Sequence, residues 1–322
     1  MQKVLSIDGG GIRGIIPAIV LAEIERRTGK PTSEVFDLVA GTSTGGILAL
    51  GLTKPGRDGK PQYSAERLIE LYETEGEKIF NRSVWHRIHA VGNLAEEKYP
   101  SKGIEDVTRE YFEDRRLAEA LTEVLVSAYE IEGRIPWFFK RRHARDPDKK
   151  GYDFLMRDVA RATSAAPTYF EPLQVAVGYE GDRAFVDGGV YANNPAMCAY
   201  VEARKIHPEE DDFLVVSLGT GELTRSLPYE EVKGWGLALW AQPILNVVFD
   251  GVADTVDYQL RELLPSEGDA RRYYRFQTLL DIGKDDMDDA SRTNVAALKV
   301  KAREIISKND DALKAVCGQL VA

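Results

Sequence analysis

Short apolar runs alternate with amphipathic stretches along most of the chain. Lys3 to Ile7 is a compact apolar run that stops at Asp8-Gly9-Gly10-Gly11. A helical pattern follows through Ile15, Ile16, Ile19, Val20 and Ile24, with Pro17 in its first turn, where the missing N–H removes no helical hydrogen bond. The plan recurs. Val35 to Ala40 predicts a second buried strand ending at Gly41-Thr42-Ser43-Thr44-Gly45-Gly46, and Ile47, Leu48, Leu50 and Leu52 predict the helix after it. Further strands are predicted at 123–131, 135–140, 173–177, 184–186, 213–218 and 273–277, interleaved with helices near 64–79, 103–112, 152–162, 195–205, 243–263 and 291–306. Parallel neighbours need a crossover helix between them, so this alternation predicts an α/β fold with a mainly parallel central sheet.

Two turn-rich breaks, Pro55 to Pro61 and the charged Arg141 to Lys150, read as surface loops too short to be linkers. No internal repeat or low-complexity tract interrupts the pattern, so 1–322 is expected to be a single domain. At 322 residues, with 43% hydrophobic and 29% charged positions, the chain has the composition of an ordinary water-soluble globular protein. The formal net charge of −10 disfavours nucleic acid and anionic membrane surfaces, which confines any lipid contact to a local patch. Cys198 and Cys317 build neither a disulfide framework nor a CxxC metal site. With no basic-then-apolar leader at the start of the sequence, a cytoplasmic location is expected, with room for peripheral association at a membrane. The longest mostly apolar window, Trp235 to Phe249, is broken by Gln242, Pro243 and Asn246 and is too short for a span of ~20 apolar residues.

Candidate chemistry lies in the two glycine-rich turns. Gly41-Thr42-Ser43-Thr44-Gly45 matches G-x-S-x-G, in which a serine on a tight strand-to-helix turn presents its hydroxyl beside a helix N-terminus. The bland reading of the same residues is a glycine turn with Ser43 as helix cap. A nucleophilic serine needs a base and needs donors for the oxyanion. Gly9, Gly10 and Gly11 offer backbone N–H groups at a strand end, and Arg13 either adds charge to the anion or pairs with a carboxylate that fixes the loop. Gly9-x-Gly11-x-x-Gly14 also fits the letters of a dinucleotide fingerprint, but the acidic residue that fingerprint wants is represented only by Asp37, ahead of its strand's end. The four histidines, His86, His89, His143 and His207, lie in no recognisable catalytic turn. Asp187 ends the run Ala184-Phe185-Val186 and is followed by Gly188-Gly189, so a serine–aspartate dyad is an option, provided dry surroundings raise a carboxyl whose free pKa is about 3.9.

Taken in order, Asp8-Gly9-Gly10-Gly11-Ile12-Arg13-Gly14, Gly41-Thr42-Ser43-Thr44-Gly45, Ser164-Ala165-Ala166-Pro167-Thr168-Tyr169-Phe170 and Val186-Asp187-Gly188-Gly189 resemble the patatin-like phospholipases. Asn193-Asn194-Pro195, Ser217-Leu218-Gly219-Thr220-Gly221 and Met287-Asp288-Asp289-Ala290-Ser291 extend the likeness over about residues 3–306. The resemblance implies a three-layer α/β/α fold and a lipid acyl hydrolase of phospholipase A, lysophospholipase or esterase type. It implies Ser43 as nucleophile, Asp187 as base, and the Gly9, Gly10 and Gly11 amides with Arg13 as oxyanion site. It implies no cofactor and no metal in the chemical step, and a phospholipid or other fatty-acyl ester as substrate. Two other functions suit the likeness: a storage or binding protein with incidental esterase activity, and a membrane-degrading effector switched on by a nucleotide.

Trp235, Leu237, Leu239 and Trp240 form an apolar aromatic stretch that suits an acyl-channel wall or a bilayer contact and, with Phe80 and Trp85, suits core equally well. Asp281 to Asp289 has calcium-loop composition but not calcium-loop spacing, so Asp288 or Asp289 is expected to cap the helix that follows.

Overall fold

A computed structural model of the chain describes residues 1–80, 99–179, 181–224, 226–240, 243–265, 271–282 and 286–322. Trp85, His86 and His89 lie outside the described residues, as does Gly283 of the acidic loop. The strands are β1 (Gln2–Ile7), β2 (Leu38–Thr42), β3 (Glu123–Glu130), β4 (Ile135–Lys140), β5 (Leu173–Ala176), β6 (Asp182–Asp187), β7 (Phe213–Leu218), β8 (Glu222–Leu223), β9 (Tyr273–Phe276) and β10 (Leu279–Leu280). The longer helices are α1 (Ile15–Thr28), α2 (Thr44–Thr53), α3 (Ala65–Ile79), α4 (Lys102–Phe112), α5 (Met156–Thr163), α6 (Ala196–Ile206), α7 (Pro243–Leu263), α8 (Arg292–Lys308) and α9 (Asp310–Val321).

The main sheet has the order β5-β6-β3-β2-β1-β7-β9, with β4 paired to β3. Its heart is parallel: β3, β2, β1, β7 and β9 run the same way. Alternation along these strands feeds two separate cores. Leu5, Ile7, Val39, Leu214 and Val216 pack into one cluster with residues of α1, α2, α8 and α9. Val4, Leu38, Ala40, Phe213 and Val215 pack into the other with Ala196, Ala199 and Ala203 of α6 and Leu260 of α7. A sheet with apolar residues on both faces must be covered on both, and that is the physical origin of the three-layer α/β/α arrangement.

Most predicted elements are present with shifted ends. The second strand begins at Leu38, because Val35 closes a turn of helix at Thr32–Val35. The helix expected near 152–162 starts only at Met156. Ser291, not Asp288 or Asp289, caps α8, accepting the Asn294 N–H; Asp289 braces the cap by accepting the Ser291 N–H at 3.0 Å. The tail beyond residue 306 also belongs to the packed structure. Leu313, Val316 and Leu320 of α9 are buried beside α1, each contributing roughly 1.5–3 kcal/mol by leaving water.

One register positions the site. Along one edge of β3, Glu123 to Ser127 pair with β2, and Ala128 to Glu130 pair with β6 running the opposite way. The opposite edge is taken by β4. β2 therefore arrives at Thr42 opposite Ser127 while β6 arrives at Asp187 opposite Ala128. Two strands meet end to end on adjacent residues of a third, and Ser43 and Asp187 are brought together by that meeting. β1 lies between β2 and β7, so its C-terminal loop opens at the switch point where α/β sheets form binding crevices.

Candidate active site

Only Ser43 stands between the last residue of β2 and the first of α2, so the chain must reverse sharply there. Ser43 adopts φ 55, ψ −123, a conformation that costs an L-residue of order 1–3 kcal/mol. The flanking glycines are required by closeness: a Cβ on Gly41 would stand 2.1 Å from the Gly45 carbonyl oxygen, and one on Gly45 would stand 2.1 Å from that of Ile7. The Ser43 N–H donates to Thr163 Oγ1 at 2.8 Å, and Thr163 donates in turn to the Ser127 carbonyl at 2.6 Å. The strained turn is thus tied to the end of α5 and to β3.

Asp187 is 2% exposed. Its Oδ1 accepts the Gly189 N–H at 2.8 Å, and the Ser43 side chain lies close enough to lower the carboxyl's pKa. Burial raises its pKa to about 7, and Ser43 and the Gly189 N–H limit the rise. A carboxylate at that value is half ionised near neutrality, where a general base works best. The dry surroundings that the sequence required for an aspartate base are present.

Both residues open into one pocket with about 710 Å³ of empty space, part of it open to solvent. Its walls are apolar, with Ile47, Leu71, Ile79, Phe80, Phe170 and Phe249 among them. Gly10 and Gly11 also line it. Among the described residues their N–H groups donate to no protein acceptor, whereas the Gly9 N–H is already given to the Asn193 carbonyl at 3.0 Å. Gly11 has φ +59, and a Cβ there would lie 2.2 Å from the Met287 carbonyl oxygen, so the loop is held flat against its support. Arg13 donates from Nε to the Gly10 carbonyl at 3.2 Å and faces a second pocket behind the loop, with Asp8, Thr220 and Asp250. Of the residues singled out by the sequence, then, the fold gathers Ser43, Asp187, Gly10 and Gly11 around one space, sets Gly9 beneath them and turns Arg13 to the rear.

The other candidates lie elsewhere. Asp37 accepts the Lys3 N–H at 2.7 Å, at the far end of β1 from the glycine loop, where it cannot serve a nucleotide bound on that loop. His143 packs edge-on to Tyr152, its pKa lowered to about 4 by burial and neighbouring lysine and arginine charges, and His207 follows the end of α6. No histidine is among the described residues that line the pocket.

Comparison with known proteins identifies the family. The sequence model for the patatin-like phospholipases matches residues 5–200. The chain is 32% identical over 336 residues to probable inactive patatin-3-Kuras 1 of Solanum tuberosum, covering 96% of this chain and 87% of that one. It is 31% identical over 345 residues to patatin-like protein 4 of Arabidopsis thaliana, covering 96% and 84%. The chain belongs to the patatin-like phospholipase family. A crystal structure of VipD from Legionella pneumophila aligns with a TM-score of 0.38 at 13% identity, over 95% of this chain and 67% of that one, a likeness too loose to bear on the site.

For a patatin-like protein, lipids are the general substrate class and acyl hydrolysis the general chemistry. Among the described residues, no helix is long and apolar enough to cross a membrane. Three site features had no assigned role in the sequence. Thr163 tethers Ser43, and the Asn193 carbonyl fixes Gly9. Arg275 of β9 forms a two-point ion pair with Asp8 at 2.9 and 2.6 Å and also donates to Ser217. The Asp8 carboxylate holds the pKa of the buried Arg275 above its usual value despite the cost of burial. All three are long-range contacts without a local spacing signal. Asn193 lies in a segment that carries the family likeness, whereas Thr163 and Arg275 left no signal in the sequence.

Proposed function

We propose that this patatin-like protein is a serine lipid acyl hydrolase that cleaves fatty-acyl esters through a Ser43–Asp187 dyad and an acyl-enzyme. One observation carries the reading: a strained serine and a buried carboxyl of pKa about 7 side by side in a largely apolar pocket. In the first half-reaction Ser43 Oγ attacks the ester carbonyl carbon while Asp187 takes its proton. The Gly10 and Gly11 N–H groups stabilise the oxyanion, helped by the N-terminus of α2. The carbonyl carbon–alcohol oxygen bond then breaks, and the alcohol or lysolipid leaves with the proton from Asp187. Water, deprotonated by Asp187, releases the fatty acid in the second half. Arg13 acts by holding the Gly10 carbonyl rather than by touching the anion.

The apolar walls suit an acyl chain and offer little to a polar head group, which supports selection for the fatty-acyl part. Peripheral contact with a lipid surface belongs to the same proposal. It is supported by Leu237 and Leu239, which are 94% and 58% exposed on the approach to α7, the helix that carries Phe249 into the pocket. The exposure of both leucines goes against a core role for this stretch. The proposal is tested by Ser43→Ala, which is expected to lower turnover of a fatty-acyl ester by at least 10³-fold while leaving the thermal melt within a degree or two. Turnover within tenfold of the parent would remove Ser43 as nucleophile.

A further inference from the structure

Resting on the dyad just proposed, we infer that the Ser164 hydroxyl positions the water that hydrolyses the acyl-enzyme. Ser164 follows the last residue of α5, and its Oγ is buried with no hydrogen-bond partner among the described residues. It lines the pocket shared by Ser43, Asp187, Gly10 and Gly11. Its neighbours fix it relative to both halves of the dyad: Thr163 Oγ1 accepts the Ser43 N–H at 2.8 Å, and the Ala165 carbonyl accepts the Asp187 N–H at 3.0 Å. Packing alone does not ask for a hydroxyl here, since Ala162, Ala165 and Ala166 surround it in sequence and an unpaired buried hydroxyl is unfavourable. An unpaired buried hydroxyl facing the reacting groups is placed to take a partner that arrives during the reaction.

Acylation supplies the occasion. In the free protein the Asp187 carboxylate accepts the Gly189 N–H and has the Ser43 side chain beside it. Once Ser43 Oγ is an ester oxygen it has no proton to give, and one position on the carboxylate opens. A water taking that position needs two or more polar partners to stay ordered; of the pocket's other polar side chains Thr44 and Tyr72 bond each other at 2.7 Å, whereas the Ser164 hydroxyl is unpaired. The water oxygen attacks the acyl carbonyl carbon, and its proton passes to Asp187. The bond between Ser43 Oγ and the acyl carbon breaks, the proton returns to Ser43, and the fatty acid leaves. Ser164 exchanges no proton; it is a positioning residue.

The test is rapid-mixing kinetics on a p-nitrophenyl fatty-acyl ester, with intact-mass detection of acylated protein. Ser164→Ala is expected to keep the rate of the first p-nitrophenol release within threefold of the parent. Deacylation should slow 10- to 100-fold, so that a burst grows in and Ser43-linked acyl-enzyme accumulates. Ser164→Thr, which keeps the hydroxyl, should deacylate within a few-fold of the parent. Equal slowing of acylation and deacylation in Ser164→Ala, or unchanged deacylation, would overturn the role given to Ser164. An acyl adduct on a residue other than Ser43 in the parent protein would instead overturn the dyad itself, and this inference with it.

Discussion

In the proposed mechanism Asp187 is the residue on which the chemistry turns, and its environment sets two opposite dependences on pH. As a base it must be ionised, so kcat/KM for an uncharged acyl ester should climb through a single step near pH 7 and flatten above it. A step near 4, where a solvated aspartate titrates, would show that the pocket is wetter than the structure implies. Stability runs the other way. Because burial raises the folded pKa above the unfolded value, the unfolded chain ionises first, and stability falls as pH rises from about 4 to about 7. Asp187→Asn removes that charge, so it should be more stable than the parent at pH 8, by on the order of 4 kcal/mol, with the gap closing toward pH 4. Chemical denaturation at both pH values checks this; a variant less stable at pH 8 would contradict it. The same variant should lose nearly all activity, whereas His207→Ala should lose little.

At the scale of elements, the strained turn at Ser43 depends on contacts from α5. Thr163→Val removes the acceptor of the Ser43 N–H and leaves a buried donor unpaired, at a cost of roughly 1–3 kcal/mol. It should lower the melting temperature and reduce turnover about tenfold by loosening the nucleophile; an unchanged melt would show that water replaces the hydroxyl. The turn and its glycines were legible in the sequence because strand, turn and helix are contiguous there and each leaves a local pattern. The parallel strands were legible for the same reason, within a few residues at their ends. What no local pattern encodes is that β6 runs antiparallel onto β3 just where β2 leaves it. The convergence of Ser43 and Asp187 was therefore available only through family resemblance. Taken on its own neighbours alone, Asp187 is as well suited to a turn as to a base. Arg275 was invisible for a similar reason, since its partner Asp8 lies on a distant strand end.

The whole molecule carries a net charge of −10, and the proposed contact with a lipid surface has to be made against that charge. The exposed Leu237 and Leu239, with the edge-to-face pair Trp235–Trp240 beside them at 5.4 Å, are the apolar feature on which that proposal rests. Binding to zwitterionic phosphatidylcholine vesicles should exceed binding to anionic ones and depend little on salt. Leu237→Ser with Leu239→Ser should weaken vesicle co-sedimentation several-fold while sparing hydrolysis of a short soluble ester. Unchanged co-sedimentation would place membrane contact elsewhere. Whether Ser43 and Asp187 act as one unit is decided by mapping the site of covalent labelling with a fluorophosphonate probe across pH. The account predicts one adduct, on the peptide holding Ser43, forming at a rate that rises through about pH 7 and falls at least a hundredfold in Asp187→Asn. Labelling at another residue, or labelling of Ser43 at the parent rate in Asp187→Asn, would contradict it.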